Sequence, residues 1–117
     1  MKKFLAIYLG SADALAKWRA TDEETRKAQE KAGMEAWMQW ATTHKDAIVD
    51  MGSPLGKTKR IDKSGISDAK NEIGAYTVVQ AESHEEAAKL FLDHPHFVFF
   101  PGESVELMEC LSLPKMQ

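Results

Sequence analysis

Every residue from Phe4 to Leu9 is apolar or aromatic. Phe4, Ala6 and Tyr8 alternate with Leu5, Ile7 and Leu9, so a strand here shows apolar side chains on both faces and needs cover on both. Gly10 and Ser11 end it, and Ala12 to Trp18 suits a short helix or an extra turn. Thr21-x-x-Glu24 has capping-box spacing and predicts a helix running to His44, about 34 Å at 1.5 Å per residue. Its apolar stripe is Ala28, Ala32, Met34, Trp37, Met38, Trp40 and Ala41, with Glu23, Arg26, Lys27, Glu30 and Lys31 on the wet side. Gly33 is a weak point in that helix, costing about 1 kcal/mol relative to Ala.

Ala47 to Met51 reads as a second strand, interrupted at Gly52-Ser53-Pro54 before Lys57 to Ile61 resumes an extended pattern. Asp62 to Gly65 is a turn and Ile66 to Glu72, polar and without period, a loop. Ile73 to Ala81 is a third strand, rich in Tyr, Thr and Val. Ser83-x-x-Glu86 opens a second helix through Ala87, Leu90, Phe91 and His94, which Pro95 stops. Pro101-Gly102 then turns the chain into a last strand, Ser104 to Leu111.

The order strand, long helix, strand, strand, short helix, strand is that of a ferredoxin-like βαββαβ protomer, an α+β fold with a four-stranded antiparallel sheet. Its helices cover one face only. The first strand nevertheless presents apolar side chains to both faces, and Tyr76, Val78, Met108 and Cys110 add apolar surface, so a second copy stacked on the uncovered face is expected, a homodimer of sheets.

At 117 residues the chain has the size of a single domain. A net charge of −3 gives no electrostatic footprint for nucleic acid, and the basic cluster Lys57, Lys59, Arg60 reads as a solvated strand or hairpin. One cysteine, Cys110, forms no intrachain disulfide and reads as a small buried hydrophobe, which fits a reducing cytoplasm. Met1 to Leu9 serves as a strand better than as a signal sequence, because its apolar run is short and Asp13 interrupts the small residues after it. No run approaches the roughly 20 apolar residues that span a bilayer. Dinucleotide, phosphate-loop, zinc-protease and nucleophile-elbow motifs are all absent, and no cofactor is expected.

Several segments together carry a family likeness. Lys3 to Leu9, the Trp-bearing helix ending before Ala47-Ile48-Val49, the Gly65 to Lys70 loop leading to Gly74-Ala75-Tyr76, and Glu85-Glu86-Ala87-Ala88 before His94-Pro95 resemble the YCII-related proteins of the dimeric α+β barrel superfamily. The resemblance implies a ferredoxin-like protomer whose sheet pairs with a second sheet into a barrel. It also implies kinship with cofactor-free monooxygenases, isomerases and small-ligand binders. The family sets a His on the long helix against an Asp just before the Pro that ends the second helix. Here the pre-Pro residue is His94, and the helix position falls near Glu35, with no His between Thr21 and Thr43. Either the pair is lost, or carboxylate and imidazole have exchanged places as Glu35 and His94.

His94 and His96 flank Pro95 at a helix end, where a cation is favoured by the dipole; this capping role stands beside general acid or base work. Glu35 either orients His94 or is one more solvated carboxylate. His-x-His supplies two metal ligands at most, with His44 distant in sequence, so no metal site is expected. Trp37, Trp40 and His44 share one side of the long helix and, with His96, would line any cavity between helices and sheet. The leading reading is cofactor-free acid–base chemistry on a small organic molecule, with His94 and Glu35 catalytic and Trp37, Trp40, His44 and His96 binding. The alternative is a non-catalytic dimeric ligand-binding or scaffold module.

Overall fold

The structure is a computed structural model and describes residues 1–92, 94–100 and 102–113. Ten elements follow in order: β1 (Lys2–Leu9), α1 (Ala12–Ala20), α2 (Glu23–Thr43), β2 (Ile48–Pro54), β3 (Thr58–Asp62), β4 (Gly65–Ala69), β5 (Ile73–Ala81), α3 (His84–Lys89), α4 (Pro95–Val98) and β6 (Ser104–Glu109). The main sheet has the order β2-β5-β1-β6, every neighbouring pair antiparallel. This is the ferredoxin-like order, with the doubly apolar β1 in the interior as its composition requires.

Register explains the two faces. Phe4, Ala6 and Tyr8 point to the helices, beside Val79, Thr77 and Ala75 of β5, and pack against Trp40, Ala87 and Phe91. On the opposite face Leu5 lies between Val78 and Met108, and Ile7 between Tyr76 and Glu106. These outer side chains are half-buried or exposed in the single chain.

Five expectations are corrected. The N-cap of α2 is Asp22, whose Oδ2 accepts from the Thr25 N–H at 3.0 Å, while Thr21 closes α1 instead. Gly52-Ser53-Pro54 does not break β2 but bulges it. Gly52 sits at φ +71°, and a Cβ there would strike the Tyr76 carbonyl. Residues 66–69 are strand rather than loop. Ile61 faces Ile66 across a β3–β4 hairpin whose strands bury neither face, so no period marks them. Cys110 is exposed, just past β6. Finally, α3 ends at Lys89, five residues early. Trp40 Nε1–H donates to the Leu90 carbonyl at 2.8 Å, and from Leu90 on the chain tightens into i→i+3 turns, the His94 N–H bonding the Phe91 carbonyl. Pro101, placed by the sequence in the last turn, lies outside the described residues.

Candidate functional site

The early end of α3 changes what His94 does. It is the N-cap of α4, with Pro95 at the first helical position, and its Nδ1 accepts from the His96 N–H at 3.0 Å. A helix N-terminus favours a lone pair, the opposite of the cation-favouring C-terminus expected from the sequence. The ring is fully buried, edge-on to both Trp37 and Trp40 at centroid distances of 4.5 Å. Burial first, then the neighbouring His96 and His44, lower its pKa to about 3. His94 is therefore neutral near pH 7, and with Nδ1 accepting, its proton is assigned to Nε2.

That assignment fixes the polarity of a buried chain. His94 Nε2–H points to Tyr8 Oη at 3.4 Å, and Tyr8 O–H lies 2.9 Å from Thr77 Oγ1. Thr77 in turn donates to the Met51 carbonyl at 3.2 Å, so it must accept from Tyr8. The line runs from α4 through β1 and β5 to the bulge of β2. Burial pushes the Tyr8 hydroxyl up to about 12, opposed by the bond to Thr77, so the phenol stays protonated.

His96 is held differently. Its Nε2 lies 3.0 Å from the Leu9 carbonyl and 3.1 Å from that of Ser104, a cross-strand pair of β1 and β6, and donates to both. Nδ1 is then the free lone pair, with no protein partner among the described residues. Burial lowers the pKa of this ring too, against the pull of the two carbonyls, so Nδ1 accepts rather than carries a proton at pH 7. Gly102 lies against the ring so closely that a Cβ there would overlap it.

An open cleft of about 860 Å³ lies between helices and sheet, in the size range of small-molecule sites. His96, Tyr8, Trp37, Phe100 and Gly102 form part of its lining; the bulge of β2, from Met51 to Pro54, forms another wall. Of the residues singled out by sequence, Trp37 and His96 reach this cleft. Trp40 and His94 lie behind it in the core, and His44 caps α2 with its ring 5.3 Å from that of Trp40. Glu35 is exposed and makes no hydrogen bond or ion pair among the described residues. The structure thus does not bring Glu35 to His94, because α2 buries Trp37 and Trp40 and turns residue 35 to solvent. Tyr8, Thr77 and Gly102 were missed. A tyrosine within an otherwise apolar strand was the available signal, since a buried hydroxyl demands a partner.

Among the described residues no three His, Cys, Asp or Glu side chains are grouped to hold a metal, and no helix is long and apolar enough to cross a membrane. No family model and no curated protein matches the chain. Among solved structures, it is similar to 5-chloro-2-hydroxyhydroquinone dehydrochlorinase (TftG) from Burkholderia phenoliruptrix AC1100, in complex with 2,5-dihydroxybenzoquinone. The two share 16% sequence identity over 90% of this chain and 89% of that one, with a TM-score of 0.52. At that identity the likeness shows the fold: a mixed α+β protein with an antiparallel sheet and helices.

Proposed function

We propose that the cleft binds a small organic molecule and that His96 performs cofactor-free proton transfer on it. The observation that carries this reading is the Nδ1 of His96, which has no partner among the described residues, while the ring's other nitrogen is locked by two carbonyls on the wall of a cleft. A base needs a free lone pair, a fixed ring and access to substrate: Nδ1 has no partner among the described residues, Nε2 is held by two carbonyls, and the ring lines the cleft. It takes a proton from an acidic carbon next to a carbonyl, becoming imidazolium as the substrate becomes enolate, and returns it to complete an exchange or isomerisation. His94 acts through His96 as a positioning residue, since its Nδ1 holds the His96 backbone N–H. This moves the reacting proton from His94, which the sequence favoured, to its neighbour, and Glu35 takes no part. That TftG, of the same fold, is named for chemistry on a small organic molecule is in keeping with the reading. The working unit is a homodimer joined through the outer sheet face, where Leu5, Ile7, Tyr76, Val78 and Met108 gather, in line with the YCII-like barrel.

The test is deuterium uptake from D2O into a panel of ketones and lactones, followed by proton NMR. Wild-type protein should exchange at least one of them, and His96→Gln should slow that exchange by about a hundredfold or more. Exchange that survives the substitution, in a variant whose circular dichroism is unchanged, would refute the assignment.

A further inference from the structure

Five exposed large apolar side chains come together around the cleft: Leu15 of α1, Met34 and Met38 of α2, Met51 of β2 and Leu55 just beyond it. Scattered exposed hydrophobes need no explanation, but a cluster around a concave site does. Methionine adapts its shape to a flat or irregular apolar body, and three of the five are methionine. The same cleft is lined by two cations, Arg19 in the last turn of α1 and Lys57 after β2. The hairpin bases Lys59 and Arg60 are neutralised by Asp68 and Asp62, whereas Arg19 and Lys57 have no ion pair among the described residues. One acid, Glu72, also lines the cleft, so its formal charge is +2 − 1 = +1, in a chain whose net charge is −3.

We infer that the cleft selects an organic monoanion with a flat apolar body: the body lies among the methionines, and Arg19 and Lys57 hold the anionic group. Glu72 disfavours a second negative charge on the ligand. This rests on the reading of the cleft as a small-molecule site and names the class of molecule it takes.

Two probes with the same body isolate the charge, 2-naphthoate and 2-naphthamide, each titrated calorimetrically into the full chain at low ionic strength. Naphthoate should bind about tenfold more tightly, the size expected from two solvent-exposed ion pairs, and the advantage should shrink as salt is added. In the double variant Arg19→Gln, Lys57→Gln the two probes should bind alike, with the amide's affinity unchanged. Equal affinities in wild type, a preference that survives in the double variant, or no binding of either probe at millimolar concentration would each overturn the inference. A wild type that prefers naphthoate yet exchanges no carbon-bound proton supports the anion selectivity and refutes the acid–base reading. Exchange without that preference does the reverse.

Discussion

His94 makes acid a specific threat to this fold. In the unfolded chain its imidazole has the ordinary pKa of 6.5; folded, it is lowered to about 3 by burial and by His96 and His44. Between those values the unfolded state binds a proton that the folded state refuses, so this contribution to stability is complete above about pH 6.5 and drains away as pH falls toward 3. At pH 5, linkage between 6.5 and about 3 gives a loss of about 2 kcal/mol, set almost wholly by titration of the unfolded chain. The comparison to make is with His94→Asn, because an Asn side-chain oxygen accepts from the residue-96 N–H as Nδ1 does and preserves the cap. The variant is less stable at pH 7, having lost the ring between Trp37 and Trp40; the informative quantity is how the gap changes. Urea denaturation at fixed protein concentration should show the wild-type advantage shrinking by about 2 kcal/mol between pH 7 and pH 5. The carboxylates titrate in both proteins and cancel. A constant gap, or a His94 ring resonance that titrates near 6.5 in the native wild type, would refute the claim that this imidazole is buried and neutral.

Thr77→Val removes the acceptor of the buried Tyr8 hydroxyl, which should cost about 1–3 kcal/mol in urea denaturation. Gly33→Ala would gain about 1 kcal/mol in an exposed helix. Here a Cβ would lie 2.6 Å from the Phe100 ring and 2.9 Å from Phe99 Cβ, so the melting temperature should fall instead. Leu5→Glu places a charge in the middle of the outer sheet face, and light scattering after gel filtration should show the wild type at twice the chain mass and the variant at one; an unchanged mass would remove that face from the proposed interface.

What could be read from the sequence follows from where the period had a cause. β1 is marked by an unbroken apolar run, which suits an interior strand, and β5 by its Tyr, Thr and Val, while Trp37 and Trp40 mark the inner side of α2. The β3–β4 hairpin buries neither face and left no period in residues 65–69 to find. Gly33 looked like a defect because helix propensity is a local quantity. Its reason is the approach of Phe99 and Phe100, some 66 residues away in sequence.

The site's geometry is half legible, and the two readings open to one proline account for the missing half. His94 and His96 around Pro95 are legible as candidates, but a helix read as running up to Pro95 puts His94 at a C-terminus, whereas the structure makes it an N-cap. Pro at a helix boundary reads equally well as a stop for the helix behind or as the first residue of the helix ahead. In the fold α3 ends at Lys89, and Trp40 donates to the Leu90 carbonyl just beyond it, a contact across 50 residues that no local pattern records. Once Pro95 begins α4, His94 must accept from residue 96 rather than stabilise a C-terminus, and its remaining proton is committed to Tyr8. A base cannot be fully buried with both nitrogens engaged. Two residues on, within the four-residue helix, His96 has Nε2 engaged by two carbonyls and Nδ1 without a partner among the described residues, in a ring that lines the cleft, which is why the proposed base is the histidine that the sequence casts as a binding residue.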